Sequence, residues 1–188
     1  MKIVQIGACK GNDHVTKLVN ENNVDLLVLV EPNPFHIQDL HNCYNGYNYK
    51  IDNLAINLKE EMVKLFYSKN DGPLYEVASL EIDHIIKHGY TMDSIVYFNI
   101  KSVNLNDYLL SNELTNLDYL FIDIEGLDAD ISLDFNPSLF NIKNIQIEVL
   151  HLGDKKEQVI QHYINHGYEL KTSLDFHGFD IMFSKINI

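Results

Sequence analysis

The sequence is short of two things, cysteine and positive charge. Its two cysteines, Cys9 and Cys43, cannot build a disulfide framework, and no Cys/His spacing matches a zinc site. Both are read as reduced thiols. Lys and Arg number 14 against 27 Asp and Glu, a net charge of -13, which argues against electrostatic binding to nucleic acid or to an anionic membrane. A phosphate-rich acceptor would be repelled for the same reason, whereas a neutral acceptor or a cationic cofactor would not. No run reaches the roughly eighteen apolar residues that a membrane helix needs, and the first residues enter a strand directly where a signal peptide would show a basic and then a longer apolar region. The chain reads as cytoplasmic. Internal repeats, linkers and low-complexity runs are also missing, so residues 1–188 are expected to form one domain with an ordinary core.

What is present starts at the N-terminus. The apolar run 3–6 breaks into the loop Gly7-Ala8-Cys9-Lys10-Gly11-Asn12 and restarts as a helix over 13–22, with Val15, Leu18 and Val19 on one face. A buried strand feeding such a turn brings helix N–H groups to the carboxyl edge of a sheet, where nucleotide-like ligands bind. The next strand, 26–30, ends in Glu31, at the offset where a carboxylate meets ribose hydroxyls. A dinucleotide fingerprint wants Gly-x-Gly-x-x-Gly, and the position two after Gly7 is Cys9. Without the glycine that lets backbone approach a pyrophosphate, a ribose-bearing ligand lacking phosphate fits better, and S-adenosylmethionine is the common one. Its ribose hydroxyls would donate to Glu31 and its carboxylate would take N–H groups around Gly7 to Gly11. A non-catalytic S-adenosylmethionine-binding module and an NAD-dependent oxidoreductase stand as alternatives.

Downstream, Pro32-Asn33-Pro34 opens a helix with Phe35, Ile37 and Leu40 apolar, Asn45-Gly46 closes it, and a strand follows over 49–56. An alternating strand at 62–67, a loop at Asn70-Asp71-Gly72-Pro73, a helix at 80–88 and a strand at 94–103 interrupt the βα alternation. They form a β-rich insertion at about 62–103, expected to shape an acceptor site. A helix from 106 and a strand at 119–122 lead to Asp123-Ile124-Glu125-Gly126, and a strand at 144–149 leads to His151. Asp154 with Glu157 starts a helix over 155–166, and strands 168–174 and 179–184 form a hairpin through His177-Gly178. The pattern specifies an α/β fold, a doubly wound and mostly parallel sheet closed by an antiparallel C-terminal hairpin.

Asp123 and Glu125 flank one residue at a strand end, and two buried carboxylates there would repel unless given a cationic or proton-accepting task. Asp123 is assigned to the cofactor's ammonium and Glu125 to the acceptor; the competing reading is a charged helix start. Glu148 and His151 end the neighbouring strand and could deprotonate a hydroxyl, or could be a strand-end Glu and a surface His. A divalent metal between Asp123 and Glu148 is conceivable but not favoured, and no residue is assigned as a metal ligand. His84 and His88, four apart, read as a solvated stripe.

These blocks resemble the FkbM-type family of S-adenosylmethionine-dependent methyltransferases, a branch of the class I, Rossmann-like fold. The matching stretches are the loop 6–11, Val30-Glu31-Pro32-Asn33-Pro34, Asn53-Leu54-Ala55-Ile56, 103–109, Ile122-Asp123-Ile124-Glu125-Gly126 and Ile147-Glu148-Val149-Leu150-His151. The resemblance implies a seven-stranded sheet with its last strand antiparallel. It implies a cofactor site at Gly7, Ala8, Lys10, Gly11, Asn12, Glu31, Pro32, Asn33, Asn53, Leu54 and Asp123. It also implies transfer of a methyl group to a hydroxyl of a sugar, glycan or similar small acceptor, with Asp123, Glu125, Glu148 and His151 as the catalytic candidates. Two departures stand out: Phe121 occupies a place where family members often carry Lys, and the helices that usually precede the glycine strand are missing. Their cover is expected from the insertion at 69–93, a second subunit or a neighbouring domain.

Overall fold

Successive residues of the first two strands are apolar because both faces of each strand are covered. Ile3 and Leu27 pack on one side and Val4 and Val28 on the other, in two separate buried clusters. The computed structural model describes residues 1–70, 77–150, 152–171 and 178–186. In chain order the elements are β1 (Lys2–Ile6), α1 (His14–Glu21), β2 (Leu26–Val30), α2 (Ile37–Cys43), β3 (Tyr49–Asp52), β4 (Ala55–Ile56), β5 (Glu61–Ser68) and α3 (Ile82–Lys87). They continue with β6 (Ile95–Val103), α4 (Leu105–Ser111), β7 (Asn116–Ile122), α5 (Asp128–Asp134), β8 (Asn141–Glu148), α6 (Lys156–Asn165), β9 (Tyr168–Lys171) and β10 (Asp180–Lys185).

The main sheet has seven strands in the order β3-β2-β1-β7-β8-β10-β9. The first five are mutually parallel, and β10 runs antiparallel between β8 and β9. Because the chain leaves β1 for β2 and β3 on one side and returns to β7 and β8 on the other, the order reverses beside β1. The carboxyl ends of β1, β2 and β7 therefore open a crevice, which is where ligands bind in open α/β sheets. Asp13 caps α1 there, accepting from Val15 N at 2.9 Å and Thr16 N at 3.0 Å.

The expected strand 49–56 is instead two strands in two sheets. Asn53 Nδ2 donates to the carbonyls of Glu31 at 2.8 Å and Pro32 at 3.0 Å, which turns the chain out of the main sheet. Ala55 and Ile56 then join β5 and β6 in a separate three-stranded sheet, order β4-β6-β5. β5 and β6 of that sheet correspond to the insertion expected at about 62–103, and β4 precedes it. Two further expectations shift: α6 starts through a 3-10 turn over Gly153–Lys155 with no side-chain cap from Asp154, and α3 buries His84 and Ile85 while Ile86 is exposed. The predicted loop residues 71–73, His151, the strand residues 172–174 and His177 of the hairpin turn lie outside the described residues. Among the described residues, no helix is long and apolar enough to cross a membrane.

Candidate active site at the carboxyl ends of β1, β2 and β7

Gly7 is where β1 has to give way. Its φ is +79°, and a Cβ placed on it would lie 1.6 Å from the Asp123 carbonyl oxygen, so a side chain is sterically barred as well as conformationally disfavoured. The turn continues with positive φ at Cys9, Gly11 and Asn12. Its N–H groups are less open than expected. Gly7 and Ala8 donate to Val30 O, Cys9 to Glu31 Oε2 and Gly11 to Ala8 O. The loop completes its own hydrogen bonds because a buried N–H without an acceptor is costly.

Glu31 at the end of β2 is buried, and its carboxylate does two jobs in the chain itself. Oε2 accepts from Cys9 N at 2.7 Å, and Oε1 accepts from Asn33 N at 2.8 Å. His36 Nδ1 lies 3.5 Å from Oε1, in a pair that is almost fully buried. Burial opposes charge on His36, but its contacts with Cys9 and with the Glu31 carboxylate outweigh it and carry its pKa to about 10. His36 is therefore a cation at neutral pH, and Glu31 is fixed in place by one charge and two backbone donors. A carboxylate has about four acceptor sites, so the remaining lone pairs can still take hydroxyls from the cavity.

The turn after β7 concentrates negative charge. Asp128, fully buried in the first turn of α5, accepts from Ile124 N at 2.9 Å and Gly126 N at 3.1 Å. Asp123 lines the cavity and is exposed to it. Desolvation by the protein packed around it and then the charges of Glu148, Asp128, Glu125 and Asp180 hold its pKa well above the carboxylate range. Burial and the same neighbours carry Glu148 to about 8, against a hydrogen bond with Asp123, and burial carries Asp128 to about 6 against its backbone donors. Oxygens of Asp123, Asp128 and Glu148 all lie within 4.8 Å of one another. This arrangement either holds protons at neutral pH or shares one positive charge, an ammonium or a divalent cation.

A cavity of about 440 Å³ joins these parts, within the size range of small-molecule sites. Of the residues expected to hold a cofactor, Gly7, Lys10, Gly11, Asn12, Glu31, Pro32 and Asp123 line it, as does Glu125. Ala8, Asn33, Asn53 and Leu54 are not in its wall. Ala8 is buried in the core, Asn33 accepts from Phe35 N, Asn53 turns the chain behind Glu31, and Leu54 packs on the larger core cluster. Glu148 stands behind Asp123 rather than in the wall. The inserted sheet adds Ala55, Ile56 and Leu65 to the wall, and the segment before α3 adds Ala78, Ser79 and Leu80.

Sequence reasoning missed His36, Asp128, Asp13 and His84. Asp128 carried a local signal, an acid in the first helical turn after Asp-Ile-Glu-Gly, whereas His36 and His84 carried none. His84 is buried, with Nε2 at 2.9 Å from Glu125 Oε2.

The family model described as Methyltransferase FkbM domain matches residues 5–179. Among solved structures, methyltransferase FkbM from Methylobacillus flagellatus KT is 13% identical with a TM-score of 0.52, covering 97% of this chain and 43% of that one. Aeropyrum pernix fibrillarin in complex with natively bound S-adenosyl-L-methionine is 13% identical with a TM-score of 0.48, covering 97% of this chain and 65% of that one. This chain thus spans less than half the length of the first and about two thirds of the second. No curated protein matches it. At this identity the Methylobacillus structure bears on the fold alone, and it agrees with the seven-stranded sheet, while the match over residues 5–179 carries the family: the chain belongs to the FkbM methyltransferase domain family.

Proposed function

We propose that the cavity binds S-adenosylmethionine and that the protein transfers its methyl group to a hydroxyl oxygen of a neutral acceptor, a sugar or glycan being the favoured class. The observation that carries this reading is one cavity walled by the Gly7–Asn12 loop, Glu31 and Asp123. In it, Glu31 would accept from ribose hydroxyls and Asp123 would hold the cofactor's ammonium, whose positive charge would relieve the repulsion among the carboxylates. The net charge of -13 favours an uncharged acceptor over a phosphorylated one.

Bound S-adenosylmethionine would supply an activated methyl group, so the chain's own work would be alignment, the cavity wall holding the acceptor hydroxyl in line with that methyl. The hydroxyl proton has to go to a base. Glu125 lines the cavity, whereas Glu148, with its pKa near 8, holds its own proton at neutral pH, so Glu125 is the proposed acceptor of that proton.

The test is a thermal-shift panel followed by calorimetry. S-adenosylhomocysteine should raise the melting temperature and NAD should not; the reverse result would assign an oxidoreductase. Glu31→Gln keeps the shape of the side chain but loses its charge. It should weaken S-adenosylhomocysteine by about tenfold to a hundredfold, the range for one or two charge-assisted hydrogen bonds, and an unchanged affinity rejects the ribose assignment.

A further inference from the structure

Among the described residues, the inserted unit is hydrogen-bonded to the turn after β7 at Glu125. Ser79 Oγ donates to the Glu125 carbonyl at 2.5 Å, and His84 Nε2 on α3 lies 2.9 Å from Glu125 Oε2. In the tautomer protonated at Nε2 the imidazole N–H donates to this carboxylate oxygen. The pair is sheltered, His84 at 6% and Glu125 at 29% side-chain exposure. Its surroundings are shaped to it: Glu125 is a non-glycine residue at φ +56°, a conformation that persists only when the surroundings impose it, and a Cβ on Gly126 would come within 3.2 Å of His84 Nδ1. Thus glycine at 126 leaves room for the imidazole beside Glu125.

The same inserted unit puts Leu65, Ala78, Ser79 and Leu80 into the cavity wall, and Glu125 lines the same cavity. The His84 contact therefore joins two parts of one enclosure. We infer that His84 is a positioning residue, a latch whose hydrogen bond to Glu125 holds the inserted unit as a wall against bound cofactor and so sets how long the cofactor stays. This rests on the reading of the cavity as an S-adenosylmethionine site. Losing the bond does not dissolve the inserted sheet, because β5 and β6 pair over eight residues without it; it loosens the sheet's attachment to the turn.

The experiment uses the whole chain and S-adenosylhomocysteine as the probe, with association and dissociation followed by stopped flow. His84→Ala should speed dissociation by about tenfold, as expected for one lost charge-assisted hydrogen bond, while association slows little, since a loosened wall does not bar entry. His84→Gln, whose amide N–H can reach the same carboxylate, should recover most of the lost residence time. A side chain that merely filled space would not show that rescue. Ser79→Ala, which removes the second tether, should also speed dissociation and serves if His84→Ala fails to fold. In the cycle with Glu125→Gln the double variant should release the probe no faster than the faster single variant. Folded variants with wild-type dissociation, or strictly additive effects in the cycle, overturn the latch while leaving the cofactor site standing. A wild-type protein that does not bind S-adenosylhomocysteine overturns the cofactor reading and the latch with it.

Discussion

Gly7→Ala is expected to cost more than about 3 kcal/mol of folding stability and to abolish binding of S-adenosylhomocysteine. Two penalties add. A left-handed conformation costs an L-residue about 1–2 kcal/mol, and the new Cβ would overlap the Asp123 carbonyl oxygen at 1.6 Å, a contact that only a backbone shift can relieve. The shift would part Gly7 from Asp123, and with it the Asp123 N–H bond to Ile6 O at 3.0 Å. Asp123 would then leave its place in the cavity. Gly46→Ala is the control: its φ is +96°, but a Cβ there meets nothing within 4 Å, so only the conformational part remains. Urea unfolding of both variants separates the terms. Equal losses for the two would remove the argument that Gly7 is needed for close approach.

Folding stability is expected to fall as pH rises from about 5 to about 8.5, the opposite of an ordinary acidic protein whose carboxylates are paired. The folded-state pKa values of Asp123, Asp128 and Glu148 are raised, so the folded state holds protons that the unfolded chain has released. The stability these groups contribute is fully present below the unfolded carboxylate values near 4. It is lost as pH passes about 6 for Asp128 and about 8 for Glu148. Asp128 alone, fully buried and raised from 3.8 to about 6, corresponds to roughly 3 kcal/mol. Asp123→Asn removes one charge from the cluster, so it should be more stable than wild type at pH 8 while losing S-adenosylhomocysteine affinity. A bound ammonium also offsets the repulsion, so the same ligand should stabilise the wild-type protein more at pH 8 than at pH 5. Melting temperatures across that range, with and without ligand, check both statements, and a flat pH profile would show that the carboxylates do not repel as their packing implies.

The order of strands and helices was largely legible because both faces of the central strands are buried, and buried strands read as short apolar runs bounded by turn residues. The strand at 49–56 misled although Asp52-Asn53 interrupts its apolar residues, because the change of sheet at Asn53 comes from hydrogen bonds to Glu31 and Pro32 carbonyls that are distant in sequence. Glu31 and Asp123 were legible as strand-end acids. That Glu31 fastens the glycine loop, and that His36 holds Glu31, depended on side chains meeting across the turn after β2.

His84 marks the limit more sharply. Its spacing to His88 suggested a solvated stripe, yet α3 turns His84 inward onto Glu125. A helix of six residues carries too little periodic signal to set its rotation, and the packing of the inserted sheet decides it. The amino-acid sequence by itself determined the βα alternation, the glycine turn and the acids at the strand ends, because backbone sterics and hydrophobic period act over a few residues. Only the tertiary structure decided which of those acids lie close enough to repel one another, which N–H groups the loop already uses, and which wall the insertion provides, because desolvation and charge repulsion depend on neighbours brought together from β1, β2, β7, β8 and β10.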